Sequence, residues 1–289
     1  MKLRKLTTVI ITMTMSVMTM FTGCKSGADE ITKASDITVI SREEGSGTRG
    51  AFVELMGVVD EEDRDITVGT AEITQSTAVM LTTVKDNVTA IGYVSLGSLS
   101  DDVKTVKVDG VEPTVANVEN GTYKVSRPFN IAYKEDSLSD VAKDFIRFIM
   151  SVEGQEIVAD EGYISIGATN NYVTSDLSGK VILAGSTSVA PVMNKIAEAY
   201  MELNKEIDIE IQEGGSSAGM TSAINDACDI GMASREVKDT EIAEGLTSQT
   251  MALDGIAVIV NKSNIFADAL TSEQIKKIYL GEITKWSLE

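Results

Sequence analysis

Three Gly/Ser/Thr clusters run straight into amphipathic stretches of helical period: Gly45-Ser46-Gly47-Thr48, Gly185-Ser186-Thr187-Ser188 and Gly214-Gly215-Ser216-Ser217. A helix start presents N–H groups without intrahelical partners at the positive end of the helix dipole, so it suits an anion. Hydroxyls add donors there, and glycine lets a ligand approach the backbone closely. One such cluster is also an ordinary set of N-cap residues. Three of them in a chain without histidine point to a cage for a small oxyanion rather than a hydrolase. Without histidine, neither a Ser-His-Asp triad nor a histidine-bearing metal site can be built. Ser46 lies in Gly-Ser-Gly, not in a Gly-x-Ser-x-Gly elbow. A serine–lysine dyad is the enzymatic alternative that remains; no catalytic residue, metal or cofactor is expected.

The elements that must carry these clusters alternate between strand and helix from Asp36 onward. Ile37-Thr38-Val39-Ile40 is β-branched and runs into Ser41-Arg42 and the first cluster. A helix is expected around residues 50–57, another over 72–85 with Ile73, Val79, Met80 and Val84 on one side, and a strand over 90–94. Val106-Lys107-Val108-Asp109-Gly110 signals a hairpin. Arg127-Pro128 opens an extended segment to Tyr133, and helical patterns cover 139–152 and 155–161. Val181-Ile182-Leu183-Ala184 begins a second strand–cluster–helix unit, whose helix has Pro191 in its first turn and Val192, Ile196, Tyr200 and Leu203 as its stripe. Strands follow over 207–211, 229–234 and 256–260, with the third cluster opening a helix over 216–227 and a last helix over 272–280. This alternation implies mostly parallel sheets flanked by helices, with ligands beyond the strand C-termini.

Residues 1–23 have the layout of a secretory leader: Lys2, Arg4 and Lys5, then an apolar stretch to Phe21 too short and polar for a comfortable membrane span. Phe21-Thr22-Gly23-Cys24 resembles a bacterial lipobox, with phenylalanine where leucine is usual. Cys24 would then carry a lipid, and the polar residues 24–35 would tether the rest to a membrane. Cys228 is the other cysteine and sits in apolar surroundings, which suits a buried, inert thiol. The net charge of −19 becomes more negative by three without the leader's basic residues. Nucleic acid is excluded as a partner, since it needs a basic footprint. Long-range attraction cannot bring in an anion either, so its affinity must come from local, desolvated donors.

Ser41-Arg42-Glu43-Glu44-Gly45-Ser46-Gly47-Thr48-Arg49-Gly50-Ala51-Phe52 resembles the phosphate signature of PstS-type phosphate-binding lipoproteins of bacterial ABC importers. Four more stretches resemble the same family: Gly185-Ser186-Thr187-Ser188-Val189-Ala190-Pro191, Gly214-Gly215-Ser216-Ser217-Ala218-Gly219, Asp229-Ile230-Gly231-Met232-Ala233-Ser234-Arg235 and Leu253-Asp254-Gly255-Ile256-Ala257-Val258. The segment order differs from the family's usual one, in which the part resembling 180–286 comes first. A circular permutation, cut between Trp286 and Ile37, accounts for that order; a fragment of a tandem protein is the rival account.

The resemblance implies a periplasmic-binding-protein-like fold of type II, with two α/β lobes closing on the ligand by a hinge. Lobe one would be residues 36–126 plus 256–289 and lobe two 127–255, with crossings near 126–129 and 253–258. Matched by position, it implies Arg42, Ser46, Gly47 and Thr48 from one lobe, and Thr187, Ser188, Ser216 and Ser234 from the other, as ligands of inorganic phosphate. Ser217 is an alternate to Ser216, and Arg49 and Arg235 fit rim charges better than ligands. Ser234 stands where many relatives have an aspartate that excludes sulfate, which opens sulfate or molybdate as alternative ligands. The implied role is an extracytoplasmic, lipid-anchored monomer, of a Gram-positive cell by its lipobox and lack of disulfides, that delivers phosphate to an ABC permease; a surface sensor is a further alternative.

Overall fold

A computed structural model describes residues 31–289. The leader and Cys24 lie outside the described residues. Element bounds follow from caps visible in the sequence. The first strand, β1 (Thr38–Arg42), leads into α1 (Gly47–Met56), which Ser46 caps and Gly57, at φ 67°, terminates. The stretch expected as one helix is split into β2 (Glu72–Thr74) and α2 (Thr77–Asp86), because Glu72, Ile73 and Thr74 pair with β1 and Ser76 caps a new helix. Ile73 and Val79 are consequently exposed, and of the four expected apolar positions Met80 and Val84 are buried. Next come β3 (Ala90–Ser95), β4 (Val103–Thr105), β5 (Lys107–Val108), α3 (Val115–Glu119) and β6 (Ser126–Tyr133). Asp109 and Gly110 take positive φ at the tip that follows β5, the geometry of a two-residue turn.

Ser139 and Ser151 cap α4 (Asp140–Ile149) and α5 (Val152–Asp160), which are followed by β7 (Ile164–Ser165), β8 (Gly179–Gly185) and α6 (Ala190–Leu203). Leu203 is half exposed and does not join the α6 stripe. The chain continues through β9 (Ile207–Glu213), α7 (Ser216–Ile224), β10 (Ile230–Ala233), α8 (Asp239–Ala243), β11 (Thr247–Asn261), β12 (Ala269–Leu270) and α9 (Ser272–Leu280). A capping box of Thr271 and Gln274 starts α9, and Gly281 ends it.

Among the described residues the main sheet runs β2-β1-β3-β11-β6-β10-β8-β9. The parallel pairing implied by strand–helix alternation is found in the outer trios, β2-β1-β3 and β10-β8-β9. In the middle, β11 and β6 add antiparallel pairs, so the sheet as a whole is mixed. The 15-residue β11 is much longer than the strand expected over 256–260. Its first part pairs with β6 from Thr247↔Tyr133 to Gly255↔Ser126, and from Ile256 it pairs with β3. The buried apolar residues divide at the same place. One cluster holds Ile40, Phe52, Tyr93, Ile256, Val258 and Tyr279; another holds Phe129, Phe145, Val181, Tyr200, Met232 and Met251. β6 and β11 therefore form a paired ribbon between two lobes, to which β7 adds at Ala252 and Leu253.

Residues 31–36 are docked, which shortens the expected tether at this end. Ile31 is buried in the first cluster. The Ser35 carbonyl accepts from the Trp286 N–H at 3.2 Å, and the Ile37 N–H donates to the Thr284 carbonyl at 2.8 Å. Lys285 pairs with Asp36 at 2.7 Å. The two ends of the expected permutation cut thus lie side by side.

Candidate anion-binding site

The strand C-termini bring the three clusters together. β1 ends in Arg42, whose backbone N–H donates to the Tyr93 hydroxyl at 3.2 Å and whose side chain is 2% exposed. Its guanidinium donates to the Thr187 hydroxyl at 3.0 Å and to Thr77 at 3.3 Å. Nε and Nη2 also hold the Glu43 carboxylate at 2.7 Å each. This local ion pair with Glu43 leaves Nη1 and Nη2 turned to the hydroxyls of Thr77 and Thr187.

Thr48, in the first turn of α1, meets Ser188 across the lobes at 2.8 Å. Ser46 caps the helix by accepting from the Arg49 N–H at 3.3 Å, which leaves its proton free to donate. Gly47 and Thr48 are the first two helical residues, so no carbonyl of their own helix can reach their N–H groups. Gly47 is also where the backbone of α1 meets hydroxyls of the other lobe: a Cβ there would collide with Ser216 Oγ and lie 2.8 Å from Ser234 Oγ.

The second cluster is a turn rather than a cap, since Val189 precedes α6 without a side-chain cap bond. Its hydroxyls are therefore free for other partners, Thr187 and Ser188 towards lobe one and Ser186 towards Ser234 at 2.9 Å. In the third cluster Gly215, at φ 85°, takes the N-cap place and makes no side-chain bond. Ser216 is thereby released to accept the Ser234 N–H at 3.1 Å, with the two hydroxyls 3.5 Å apart. Arg42, Gly47, Thr48, Thr187, Ser188, Ser216 and Ser234 all lie in this one buried cluster, with Ser46 at its edge.

Thr77 belongs to it as well and escaped the sequence reading. Its hydroxyl lies 3.1 Å from Ser188 and 3.4 Å from Thr187. The only local signal is Ser76-Thr77 after a short strand, and it carries no glycine.

Several residues lie outside. Ser217 accepts from Arg235 at 3.2 Å and donates its N–H to the Gly45 carbonyl, closing the rim. Arg235 is clamped by Glu241, and Arg49 by Asp65 and the Arg42 carbonyl. Burial works to raise the Glu241 carboxyl, but hydrogen bonds from Arg235 and the Lys238 N–H, with the charge of Arg235, hold it below its ordinary value. A cleft of about 1230 Å³ runs past the cluster, lined in part by Gly45, Ser46, Arg49, Ser217, Arg235 and Lys238. Cys228 makes its hydrogen bond to the Ile230 carbonyl and not to the cluster; burial, then the nearby Asp229 carboxylate, push its thiol up to about 11.

Chemically the cluster is a set of hydroxyls, helix-start N–H groups and one guanidinium with its charge balanced by Glu43. A tetrahedral oxyanion can take the place of the hydroxyl–hydroxyl contacts, each hydroxyl turning its proton to an oxygen. No base accepts the Ser46 proton among the described residues.

The family described as the PBP superfamily domain matches residues 25–153 and 170–288. Phosphate-binding protein PstS 2 of Streptococcus agalactiae is 48% identical over 269 residues, 92% of this chain and 91% of that one. Phosphate-binding protein PstS 2 of Streptococcus pneumoniae serotype 4 is 43% identical over 268 residues, 91% of each chain. The crystal structure of a phosphate ABC transporter phosphate-binding protein from S. pneumoniae superposes with a TM-score of 0.70 at 43% identity, over 87% of this chain and 98% of that chain.

Proposed function

The chain belongs to the PstS-type phosphate-binding proteins of the PBP superfamily, and from that premise we propose that it captures inorganic phosphate between its lobes and delivers it to an ABC permease. The observation that carries this is the Arg42–Thr187 contact, with Thr48–Ser188 beside it: donors from opposite lobes meet in one buried place. Micromolar affinity corresponds to about −8 kcal/mol. Hydrogen bonds to a charged group contribute roughly 1.5–3 kcal/mol each before ordering costs, so six to eight such donors suffice although Glu43 offsets the charge of Arg42. The ligands are Arg42, Ser46, Gly47, Thr48, Thr187, Ser188, Ser216 and Ser234, to which Thr77 is added.

Lobe one comprises residues 36–126 and 256–289, lobe two 127–255, and closure turns about the β6–β11 ribbon. The protein acts as a binding protein rather than an enzyme, outside the cytoplasm, as a monomer held to the membrane by a lipid on Cys24. No helix among the described residues is long and apolar enough to cross a membrane.

A second ligand reading, sulfate or another tetrahedral oxyanion, is favoured by Ser234, which brings a hydroxyl and no carboxylate to the cluster. Isothermal titration with phosphate and with sulfate separates the two. Micromolar phosphate binding with at least a hundredfold weaker sulfate supports phosphate transport; no heat with phosphate at micromolar protein sinks it.

A further inference from the structure

The motif Leu253-Asp254-Gly255 contributes nothing to the cage itself, yet Asp254 is wholly buried and Arg127 nearly so. The two face each other in register across β11 and β6, where the ribbon leaves one lobe for the other. Asp254 Oδ2 accepts from Arg127 Nε at 3.2 Å and Nη2 at 3.0 Å. Oδ1 accepts from the Ser95 hydroxyl at 2.8 Å and the Leu96 N–H at 3.1 Å, both at the end of β3. The remaining guanidinium nitrogen, Nη1, donates to the Ser234 carbonyl at 3.0 Å. The Phe129 ring lies 5.3 Å from Arg127 Cζ and covers one face.

Burying two charges is costly unless their geometry is complete, and apolar residues often serve stability equally well. What a charged fork adds is direction. Here the fork is held rigid by one carboxylate and aims at one carbonyl of the cage. Ser234 is the junction of the second lobe's donors, because its N–H reaches Ser216 and its hydroxyl accepts from Ser186. The crossing has little slack: a Cβ at Gly255 would lie 2.9 Å from Val118 Cγ2.

We infer that Arg127, clamped by Asp254, is a positioning residue for anion binding that sets the place of Ser234 and through it of Ser186 and Ser216. It touches no oxygen of the anion. The inference rests on the phosphate-binding reading above, and it assigns the ribbon a part in affinity as well as in connecting the lobes.

The test is a double-mutant cycle on the purified full-length chain, read by isothermal titration with inorganic phosphate. Arg127→Lys keeps the charge but loses the fork; it is expected to weaken phosphate binding about tenfold. In a Ser234→Ala background the same change is expected to cost about threefold less, since the positioned hydroxyl is gone and only the path through the Ser234 N–H to Ser216 remains. Equal costs in both backgrounds, or wild-type affinity in Arg127→Lys, overturn the inference. Should Arg127→Lys fail to fold, Asp254→Asn, which loosens the clamp and leaves the guanidinium, takes its place in the cycle, with the same losses expected and the same results overturning the inference. Absence of phosphate binding in the unmutated chain would overturn the function itself, a distinguishable result.

Discussion

Thr48 Oγ1 and Ser188 Oγ stand 2.8 Å apart across the two lobes, each side chain shut off from solvent. They are 140 residues apart in sequence, and of the two only Thr48 lies in a helix. Thr48→Ala and Arg42→Ala are each expected to weaken phosphate binding at least tenfold, from the loss of one charged hydrogen bond of about 1.5–3 kcal/mol. Circular dichroism should show both variants folded. Unchanged affinity in both would place binding elsewhere.

Thr77 offers a sharper check, because no cluster motif marks it. Its hydroxyl bridges Arg42, Thr187 and Ser188. Thr77→Val keeps the shape and removes the donor, so phosphate should bind at least tenfold more weakly, by the same hydrogen-bond magnitude. Titration at wild-type affinity would remove Thr77 from the site.

Gly47 bears on closure rather than on donors. Its backbone has ordinary φ, so alanine fits the helix, but the added methyl meets Ser216 and Ser234. Gly47→Ala should therefore fold with unchanged helix content and lose at least tenfold in phosphate affinity. Small-angle scattering should find it more open than the wild type at saturating phosphate. An identical compact envelope would contradict the contact.

The Glu241–Arg235 pair predicts a pH dependence. The folded-state carboxyl of Glu241 is held low, so the unfolded chain binds its proton more readily. Its stabilisation is complete above the unfolded value of about 4.3 and is lost as pH falls through the folded value. Chemical denaturation between pH 6 and 3 should show a shallower acid loss in Glu241→Gln than in the wild type. Parallel curves would show that the clamp contributes no stability.

Much of this was legible in local pattern. The bounds of α9 follow from Thr271, Gln274 and Gly281, and the clusters follow from glycine and hydroxyl residues placed after β-branched runs. Where local pattern misled, tertiary contact decided. Glu72, Ile73 and Thr74 have no strand signal strong enough to interrupt a helical pattern, and it is pairing with β1 that makes them β2. The long β11 shows only its unbroken apolar end in sequence; the half that pairs with β6 opens on the polar run Thr247-Ser248-Gln249-Thr250.

What the amino-acid order determined by itself is the chemistry: which residues can donate, that histidine-based catalysis is absent from the repertoire, and that affinity must be local in so acidic a chain. These depend on residue type and on short-range backbone geometry. The tertiary structure alone decided the company those donors keep. Ser216 faces Ser234 rather than its own helix, Thr77 joins the cage, and Arg127 reaches Ser234 from a strand 107 residues away. The physical reason is that a hydroxyl or guanidinium has several satisfactory partners, and burial between two lobes selects among them.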